Sequence, residues 1–375
     1  MNVWGPDAPL SGFYGQTVRE VARLALGGSS LVLRLTNEFG KTPITLDAVG
    51  VAMAGEGGRV EPLTTQRVTF GGNQTATIYP GAPCVSDPVE MVTTPLSRIA
   101  VSYFSAGFVP ADTHHFEAQQ TAYISTLGNF VGAEQMIVQQ TTTSHHLLAA
   151  IHTLSTAQSR AVVCFGDSIT DGYGSSIDAD RRWPDVLAER LQQAREFEHV
   201  AVLNQGIGGN RLLHSRRGEL ALARLDRDTL SLASATHLIV LEGINDIVWP
   251  NTVLAAGSEV VSAGDIVDGL KQIIARAKLA GLKVLLGTIT PFEGTLPQLP
   301  NGGYYTSDKE RIRQAVNRWI RSETGADGII DFDAAVRDTA RPTRLAVEYD
   351  SGDHIHPNDA GYRTMANAID LALLR

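Results

Sequence analysis

A serine that could act as a nucleophile follows four apolar residues in the segment VVCFGDSITDG, residues 162–172. Ser168 lies just past a run typical of a buried strand, and Asp167 beside it is a further candidate for substrate contact. A serine at such a position can equally cap the following helix. The G-x-S-x-G pattern of a nucleophile elbow is absent, since Thr170 stands where the second glycine would be. This loop alone leaves both interpretations open.

A carboxylate and an imidazole stand three residues apart in the segment DHIHP, residues 353–357. A histidine can act as a general base when one ring nitrogen faces the nucleophile and an acceptor holds the other. Asp353 could hold His356 in this way, although a solvated polar turn would look the same. A metal site that includes His354 is disfavoured, because catalytic zinc needs a further well-placed ligand and a general base. The only obvious candidate ligand, His214, lies in an unrelated loop.

Two further loops carry groups that could stabilise an oxyanion. The run VAVLN is followed by QGIGGNRLL, in which Gly206, Gly208 and Gly209 allow close backbone approach to a bound group. A free N–H in this loop could donate to an oxyanion, although a tight turn is an alternative. Asn245 follows HLIVLEG and offers a neutral amide donor, although Asn-Asp is also ordinary turn chemistry.

The elements that must position these loops are typical of a parallel sheet. From residue 161 onward, helical stripes separate the apolar runs AVVCF, VAVLN, HLIVLEG, KVLLGTIT and GIIDF. One stripe spans residues 266–277, and another spans residues 312–320 after a capping-box pattern at residues 307–310. Such alternation predicts a sheet covered on both faces, with the candidate loops at its carboxyl edge. Together the loops could supply the nucleophile, oxyanion donors, base and orienting acid of an acyl transfer.

The first part of the chain follows a different pattern. Leu31, Leu33 and Leu35 alternate with more polar positions, and similar short units follow, separated by glycine, proline and asparagine. This pattern predicts an all-β sandwich or jelly roll over residues 1–155, which we expect to be an accessory domain. Residues 155–160 are a plausible linker to a catalytic domain at 160–375.

Composition excludes several classes of protein. The 375 residues carry a formal net charge of -9, which argues against nucleic acid or an anionic membrane as a partner. Cys84 and Cys164 can form neither a disulfide scaffold nor a four-cysteine zinc site. No apolar stretch is long enough for a transmembrane helix, and the N-terminus does not resemble a signal peptide. We therefore expect a soluble chain that is cytoplasmic as it stands.

These motifs together resemble the SGNH, or GDSL, hydrolase superfamily. GDSITDG resembles its first block, NQGIGG its second, GIND its third and DHIHP its fifth, in the right order across residues 160–375. The resemblance implies a flavodoxin-like, doubly wound parallel sheet of five strands. The fuller sequence is similar to an arylesterase or acylhydrolase-like branch with an extra N-terminal β-domain, whose members are often exported.

The resemblance also implies a role for each candidate residue. Ser168 becomes the nucleophile, His356 the general base and Asp353 the partner of the histidine. The N–H groups of Ser168 and Gly209 and the amide of Asn245 become the oxyanion donors. His354 stands where the family often has a small residue, which implies a position near the acyl group or its entrance.

We therefore predict a serine esterase for short-acyl, acetyl-type esters, with acylated carbohydrates among its substrates. The alternatives are a lipase or thioesterase for longer acyl chains, and a catalytically silent carbohydrate-binding protein. Tyr304 and Tyr305, in an insert rich in proline and glycine, could stack on a sugar ring or simply pack their loop. We expect no metal and no organic cofactor, and the oligomeric state does not follow from the residues.

Overall fold

Strands dominate the first part of the chain, and strands alternate with helices in the second part, in the computed structural model of the protein. The structure describes residues 11–154, 158–232, 234–299, 302–322 and 325–375. The chain divides into two compact units, Met1–Gln158 and Ser159–Arg375. Of the linker expected at residues 155–160, residues 155–157 lie outside the described ranges.

The described part of the first unit consists almost entirely of short strands. In chain order they are β1 (Gly12–Tyr14), β2 (Gln16–Arg23), β3 (Gly28–Thr36), β4 (Ile44–Leu46), β5 (Ala48–Met53), β6 (Gln66–Val68), β7 (Ala76–Ile78), β8 (Pro83–Val85), β9 (Val89–Thr93), β10 (Arg98–Phe104), β11 (Phe108–Pro110), β12 (Ala122–Leu127), β13 (Val138–Thr142) and β14 (Leu148–Leu154). A single 3-10 turn, Glu56–Gly58, stands among the described residues of this unit.

Two antiparallel sheets of the first unit share one core. One sheet has the order β13-β12-β2-β10-β5-β6, and the other has the order β14-β3-β8 with β9 also paired to β3. The alternating Leu31, Leu33 and Leu35 of β3 are fully buried and belong to the same core cluster as Val51 of β5 and Val101 of β10. The period-two pattern therefore marks the inward face of a β-sandwich, which confirms the predicted class.

The second unit contains a parallel sheet of five strands. These are β15 (Arg160–Gly166), β16 (Val200–Gly206), β17 (Ala235–Leu241), β18 (Lys283–Gly287) and β19 (Gly328–Ile330). Their order is β16-β15-β17-β18-β19, and every neighbouring pair is parallel. This is the flavodoxin-like order, so the predicted fold class is confirmed. Cys164 is buried in β15, and both it and Cys84 are free thiols.

Helices connect these strands. They are α1 (Ser168–Asp171), α2 (Trp183–Gln193), α3 (Ala221–Leu225), α4 (Ile244–Val248), α5 (Ala263–Leu279), α6 (Ser307–Ser322), α7 (Phe332–Val336) and α8 (Asp359–Asn367), with 3-10 turns at Arg195–Phe197, Gly257–Glu259 and Leu371–Leu374 and a π turn at Asp226–Leu230. The stripe expected at residues 266–277 is the buried face of α5. The capping box predicted at residues 307–310 is not formed: the hydroxyl of Thr306, before α6, accepts the N–H of Lys309, and a lysine side chain has no acceptor for the reciprocal bond.

Candidate active site

The turn after β15 places Ser168 at the start of a short helix. Gly166 is required there, because a Cβ atom would lie 2.2 Å from Thr170 Oγ1 and 2.5 Å from the carbonyl oxygen of Leu241. Asp167 is the N-cap residue of α1, since its Oδ1 accepts the N–H of Ile169 at 2.9 Å. The helix-cap interpretation of Ser168 is therefore wrong, and its hydroxyl is available for another partner.

That partner is His356, which is 188 positions away in the sequence. Ser168 Oγ lies 2.8 Å from His356 Nε2, and His356 Nδ1 lies 2.5 Å from Asp353 Oδ2. The other carboxylate oxygen of Asp353 accepts the N–H groups of Ile355 and His356 at 3.1 and 2.9 Å. A carboxylate only accepts, so Nδ1 carries the ring proton and Nε2 faces the hydroxyl as an acceptor.

The charge of Asp353 is strongly favoured in this setting. Burial by itself would raise the pKa of Asp353, but the charge of His356 and hydrogen bonds from its ring and backbone lower that pKa to about 2. The carboxylate is thus ionised throughout the pH range in which an imidazole titrates. It can hold the histidine in one tautomer and stabilise the imidazolium once it forms.

Tyr173 packs against this histidine and was missed by the sequence reasoning. Its ring centroid lies 4.6 Å from that of His356, and its backbone N–H donates to the carbonyl oxygen of Ser168 at 2.9 Å. The hydroxyl of Tyr362 donates to the carbonyl oxygen of Tyr173 at 2.5 Å. An aromatic residue one turn past Ser168, directly after the left-handed Gly172, is the signal that could have found it.

The loops after three neighbouring strands begin side by side. Gly166 of β15 pairs with Gly206 of β16 and with Leu241 of β17. The N–H of Ile207 donates to the carbonyl oxygen of Gly166 at 3.0 Å. The loops with Ser168 and the two candidate oxyanion donors therefore leave one edge of the sheet.

Gly209 and Asn245 are both held in defined conformations. Gly209 has a φ of +74°, and a Cβ atom there would lie 2.6 Å from Arg217 Cδ and 2.9 Å from the Trp249 ring. Asn245 is the second residue of α4, and its Nδ2 donates to the carbonyl oxygen of Asn210 at 2.9 Å. One hydrogen of that amide group is thus engaged, and the other is the one an oxyanion would use.

Three buried carboxyl groups surround these loops. Burial raises the pKa of Asp167 to about 7, that of Asp246 to about 6 and that of Glu242 well above its usual range. The carboxylate of Asp246 accepts the N–H groups of Leu212 and Leu213 at 2.7 and 3.0 Å. Asp246 thereby fixes the segment that follows Gly209 to the helix that carries Asn245.

Part of the second unit matches a known protein family. Residues 164–364 match the GDSL-like lipase/acylhydrolase family, and this range is more than half of the chain. The chain belongs to that family. This GDSL-like acylhydrolase is a carboxylic ester hydrolase. No curated protein matches the sequence.

The acylhydrolase is also similar to several solved structures. An aryl esterase of M. smegmatis is 19% identical with a TM-score of 0.43, and the match covers 56% of this chain and 96% of that one. A carbohydrate acetylesterase from Sinorhizobium meliloti is 16% identical with a TM-score of 0.43, and the match covers 58% and 100% of the two chains. A GDSL-like lipase from Bacteroides thetaiotaomicron is 19% identical with a TM-score of 0.42, and the match covers 58% and 91%.

Each histidine considered as a metal ligand lies near one acidic side chain in the acylhydrolase. His354 has a φ of +64°, and its Nδ1 lies 2.5 Å from Asp350 Oδ2. His214 lies 3.9 Å from Asp246 through its Nδ1. In the described ranges, no group of three or more histidine, cysteine or acidic side chains is arranged to hold a metal ion. Across those same residues, no helix has both the length and the apolar character that a membrane crossing requires.

The two tyrosines considered for sugar stacking pack within the protein. Tyr304 is only 2% exposed, so its ring is not accessible to a sugar. Tyr305 is half-buried and packs edge-on against Phe292, with 5.2 Å between the ring centroids. Loop packing, the alternative considered for both residues, describes their positions.

Proposed function

We propose that this acylhydrolase is a serine esterase for short-acyl, acetyl-type carboxylic esters, including acylated carbohydrates. One observation carries the proposal, namely the continuous hydrogen-bonded series of Ser168, His356 and Asp353. Its two links measure 2.8 and 2.5 Å. These are the contacts that a nucleophile, a general base and an orienting acid require.

In the proposed acylation step, Ser168 Oγ attacks the ester carbonyl carbon while its proton moves to His356 Nε2. The resulting imidazolium is stabilised by the ionised Asp353, whose pKa is lowered to about 2. His356 then gives the proton to the oxygen of the leaving alcohol as the bond from that oxygen to the carbonyl carbon breaks. The acyl group remains on Ser168 as an ester.

Three donors would stabilise the negative oxygen of the tetrahedral intermediate. They are the N–H groups of Ser168 and Gly209 and the side-chain amide of Asn245. Support comes from their shared edge of the sheet and from the hydrogen bond that orients the Asn245 amide. A preorganised donor stabilises the transition state far more than the bound ester, and so it acts mainly on kcat.

Deacylation reverses the proton transfers. His356 takes a proton from water, which attacks the acyl carbon, and the same donors hold the second tetrahedral intermediate. The imidazolium then returns its proton to Ser168 Oγ as the carboxylic acid leaves. Every proton in the cycle passes through His356 Nε2, which requires the tautomer that Asp353 maintains.

A short acyl group is supported by how deeply the reacting groups lie. Ser168 is 7% exposed and His356 is 9% exposed, so little of either side chain is accessible to a substrate. His354 is the proposed contact near the acyl group or its entrance. Its side chain is 45% exposed and lies on the turn that carries Asp353 and His356.

Hydrolysis of p-nitrophenyl esters from acetate to decanoate tests the proposal. We expect the highest kcat/KM for acetate and loss of turnover in Ser168→Ala. A preference for decanoate would instead indicate a lipase or thioesterase for longer chains. No turnover of any ester by the wild type would indicate a silent binding protein, and turnover that survives Ser168→Ala would exclude Ser168 as the nucleophile.

We further propose that residues 160–375 are the catalytic domain and residues 1–155 an accessory domain. A fragment that begins at Ser159 should retain turnover of p-nitrophenyl acetate, because all the proposed catalytic residues lie within it. If the accessory domain targets the substrate, the fragment should lose activity on an acetylated polysaccharide. Equal loss on both substrates would contradict this division of roles.

A further inference from the structure

A fully buried arginine lies among the loops of the proposed site. Arg224 of α3 is 0% exposed, and its guanidinium carbon lies 4.0 Å from the ring centroid of Phe165 in β15. A guanidinium group so far from water is tolerated only when its hydrogen-bond donors are satisfied. The partners of Arg224 therefore indicate what the buried charge does.

Arg224 joins the ends of two strands. Its Nη2 donates to the carbonyl oxygen of Gly166 at 2.9 Å, and its Nη1 donates to the carbonyl oxygen of Gln205 at 2.9 Å. Gly166 is the last residue of β15, and Gln205 is the penultimate residue of β16. One planar group thus bridges the backbone leading to Ser168 and the backbone leading to Gly209.

The same guanidinium also reaches the segment that orients Asn245. Arg224 Nε donates to Asn210 Oδ1 at 2.9 Å, and the backbone carbonyl oxygen of Asn210 accepts the amide of Asn245 at 2.9 Å. Arg224 Nη2 also lies 3.4 Å from Oε1 of Glu242, three residues before Asn245. All three oxyanion donors are thereby connected to one side chain through backbone or amide groups.

We propose that Arg224 is a positioning residue that sets the mutual placement of the oxyanion donors. The inference rests on the proposed function, since it concerns the same oxyanion site. The donors strengthen their bonds only as negative charge develops on the oxygen. Misplaced donors should therefore lower kcat and leave ester binding almost unchanged.

The test compares Arg224→Lys with Arg313→Lys in the full-length protein. Lysine keeps the positive charge, but its single nitrogen cannot reproduce the fork that reaches Gly166, Gln205 and Asn210. Arg313 is the matched control, because it is also 0% exposed. The partners of Arg313 are the carbonyl oxygen of Ile289 after β18, Glu310 of α6 and Asp333 of α7, and none of them is a hydrogen-bond partner of Arg224.

The kinetic constants for p-nitrophenyl acetate are expressed per serine that reacts with a fluorophosphonate probe, and Tm is measured in parallel. We expect Arg224→Lys to lower kcat about 10²-fold with little change in KM, because a small misplacement of a catalytic group has this effect. Arg313→Lys should lower Tm and leave kcat per reactive serine close to that of the wild type. Arg224→Lys with wild-type kcat per reactive serine would overturn the inference, whatever its Tm.

A second variant covers the case in which Arg224→Lys does not fold. Asn210→Ala removes the Oδ1 partner of Arg224 and leaves the charge in place. It should lower kcat, weaken binding of an arylboronic acid whose adduct mimics the tetrahedral intermediate, and leave KM nearly unchanged. Wild-type kcat and boronic acid affinity in Asn210→Ala would overturn the inference.

The Asn245→Ala variant separates this inference from the proposed function. If Asn245→Ala retains wild-type kcat, the proposed oxyanion site itself is wrong. If Asn245→Ala loses activity while Arg224→Lys and Asn210→Ala do not, only the role of Arg224 is wrong. Combined with Arg224→Lys, Asn245→Ala should cost less than it does alone, since the amide is already misplaced.

Discussion

The Asp353→Asn variant should keep its fold and lose almost all esterase activity. Asp353 Oδ1 accepts the N–H groups of Ile355 and His356, and only the oxygen of an asparagine amide can take that position. The NH₂ group must then replace Oδ2, which lies 2.5 Å from His356 Nδ1. Because NH₂ donates, Nδ1 has to accept, and the ring proton moves to Nε2. The imidazole can then no longer take the proton of Ser168.

The structure also indicates the size of this effect. The pKa of Asp353 falls from 3.8 to about 2 despite its burial, which corresponds to about 2.5 kcal/mol of preference for the charged form beside the histidine. The charge of His356 is one source of this preference, so loss of the carboxylate charge alone should already slow a reaction that passes through the imidazolium. The inverted tautomer should raise the total loss in kcat to about 10⁴-fold.

The assay is kcat for p-nitrophenyl acetate at a pH where the imidazole is neutral, with Asp350→Asn as the matched control. Asp350 Oδ2 also lies 2.5 Å from a histidine Nδ1, that of His354, and Asp350 Oδ1 also accepts two backbone N–H groups. We expect the control to keep kcat within about tenfold of the wild type, because no proton of the proposed cycle passes through His354. An equal loss in both variants, or an Asp353→Asn enzyme within tenfold of the wild type, would refute the reasoning.

Three further predictions follow from the same geometry. Gly209→Ala should lower kcat, because an added Cβ meets the neighbouring indole ring at 2.9 Å. The control Gly281→Ala has a similar φ of +83° and nothing within 4 Å of the added Cβ, so it should affect only Tm. An equal loss of kcat in the two variants would contradict this. Tyr173→Ala should lower kcat about tenfold, because it removes the ring that packs on His356. Tyr173→Phe keeps the ring and should retain the wild-type kcat. An equal loss of kcat in Tyr173→Phe would assign the effect to the hydroxyl. Burial raises the pKa of Asp167 from 3.8 to about 7. Between these two pH values the folded protein holds a proton that the unfolded chain has lost, so this group lowers the stability of the fold as pH rises from about 4 to about 7. Asp167→Asn cannot titrate, so its free energy of unfolding, measured by urea denaturation, should rise relative to that of the wild type between about pH 4 and about pH 7, by up to roughly 4 kcal/mol. A difference in free energy of unfolding that stays constant over this pH range would contradict the assignment.

The sheet and the location of its loops were predictable because they depend on patterns in consecutive residues. The buried run VVCF predicted β15, and the apolar runs that follow predicted the other parallel strands. The carboxyl ends of such strands share one edge, and so the loops of Ser168, Gly209 and Asn245 were expected together. The period-two leucines of β3 marked the core of the sandwich in the same way.

Features that depend on contacts between distant segments were not predictable. In the sequence, Arg224 looks like an ordinary charged residue of a helix. It is buried because it bonds to the ends of two strands that only the folded chain brings together. For Tyr304 the sequence left sugar stacking and loop packing open, and its burial in the folded chain decides for packing. The choice between the nucleophile and helix-cap interpretations of Ser168 also required the positions of Asp167 and His356. In each case a tertiary partner decided between alternatives that local sequence leaves equal.

The most direct test of the central claim is the site of covalent labelling by a fluorophosphonate, mapped by peptide mass spectrometry and followed with esterase activity. The probe reacts with a serine only where a neighbouring base activates the hydroxyl, as His356 would at 2.8 Å. The proposed mechanism predicts one adduct per chain, on Ser168, and loss of activity in proportion to labelling. An adduct on another residue, or full activity in a chain labelled at Ser168, would contradict it.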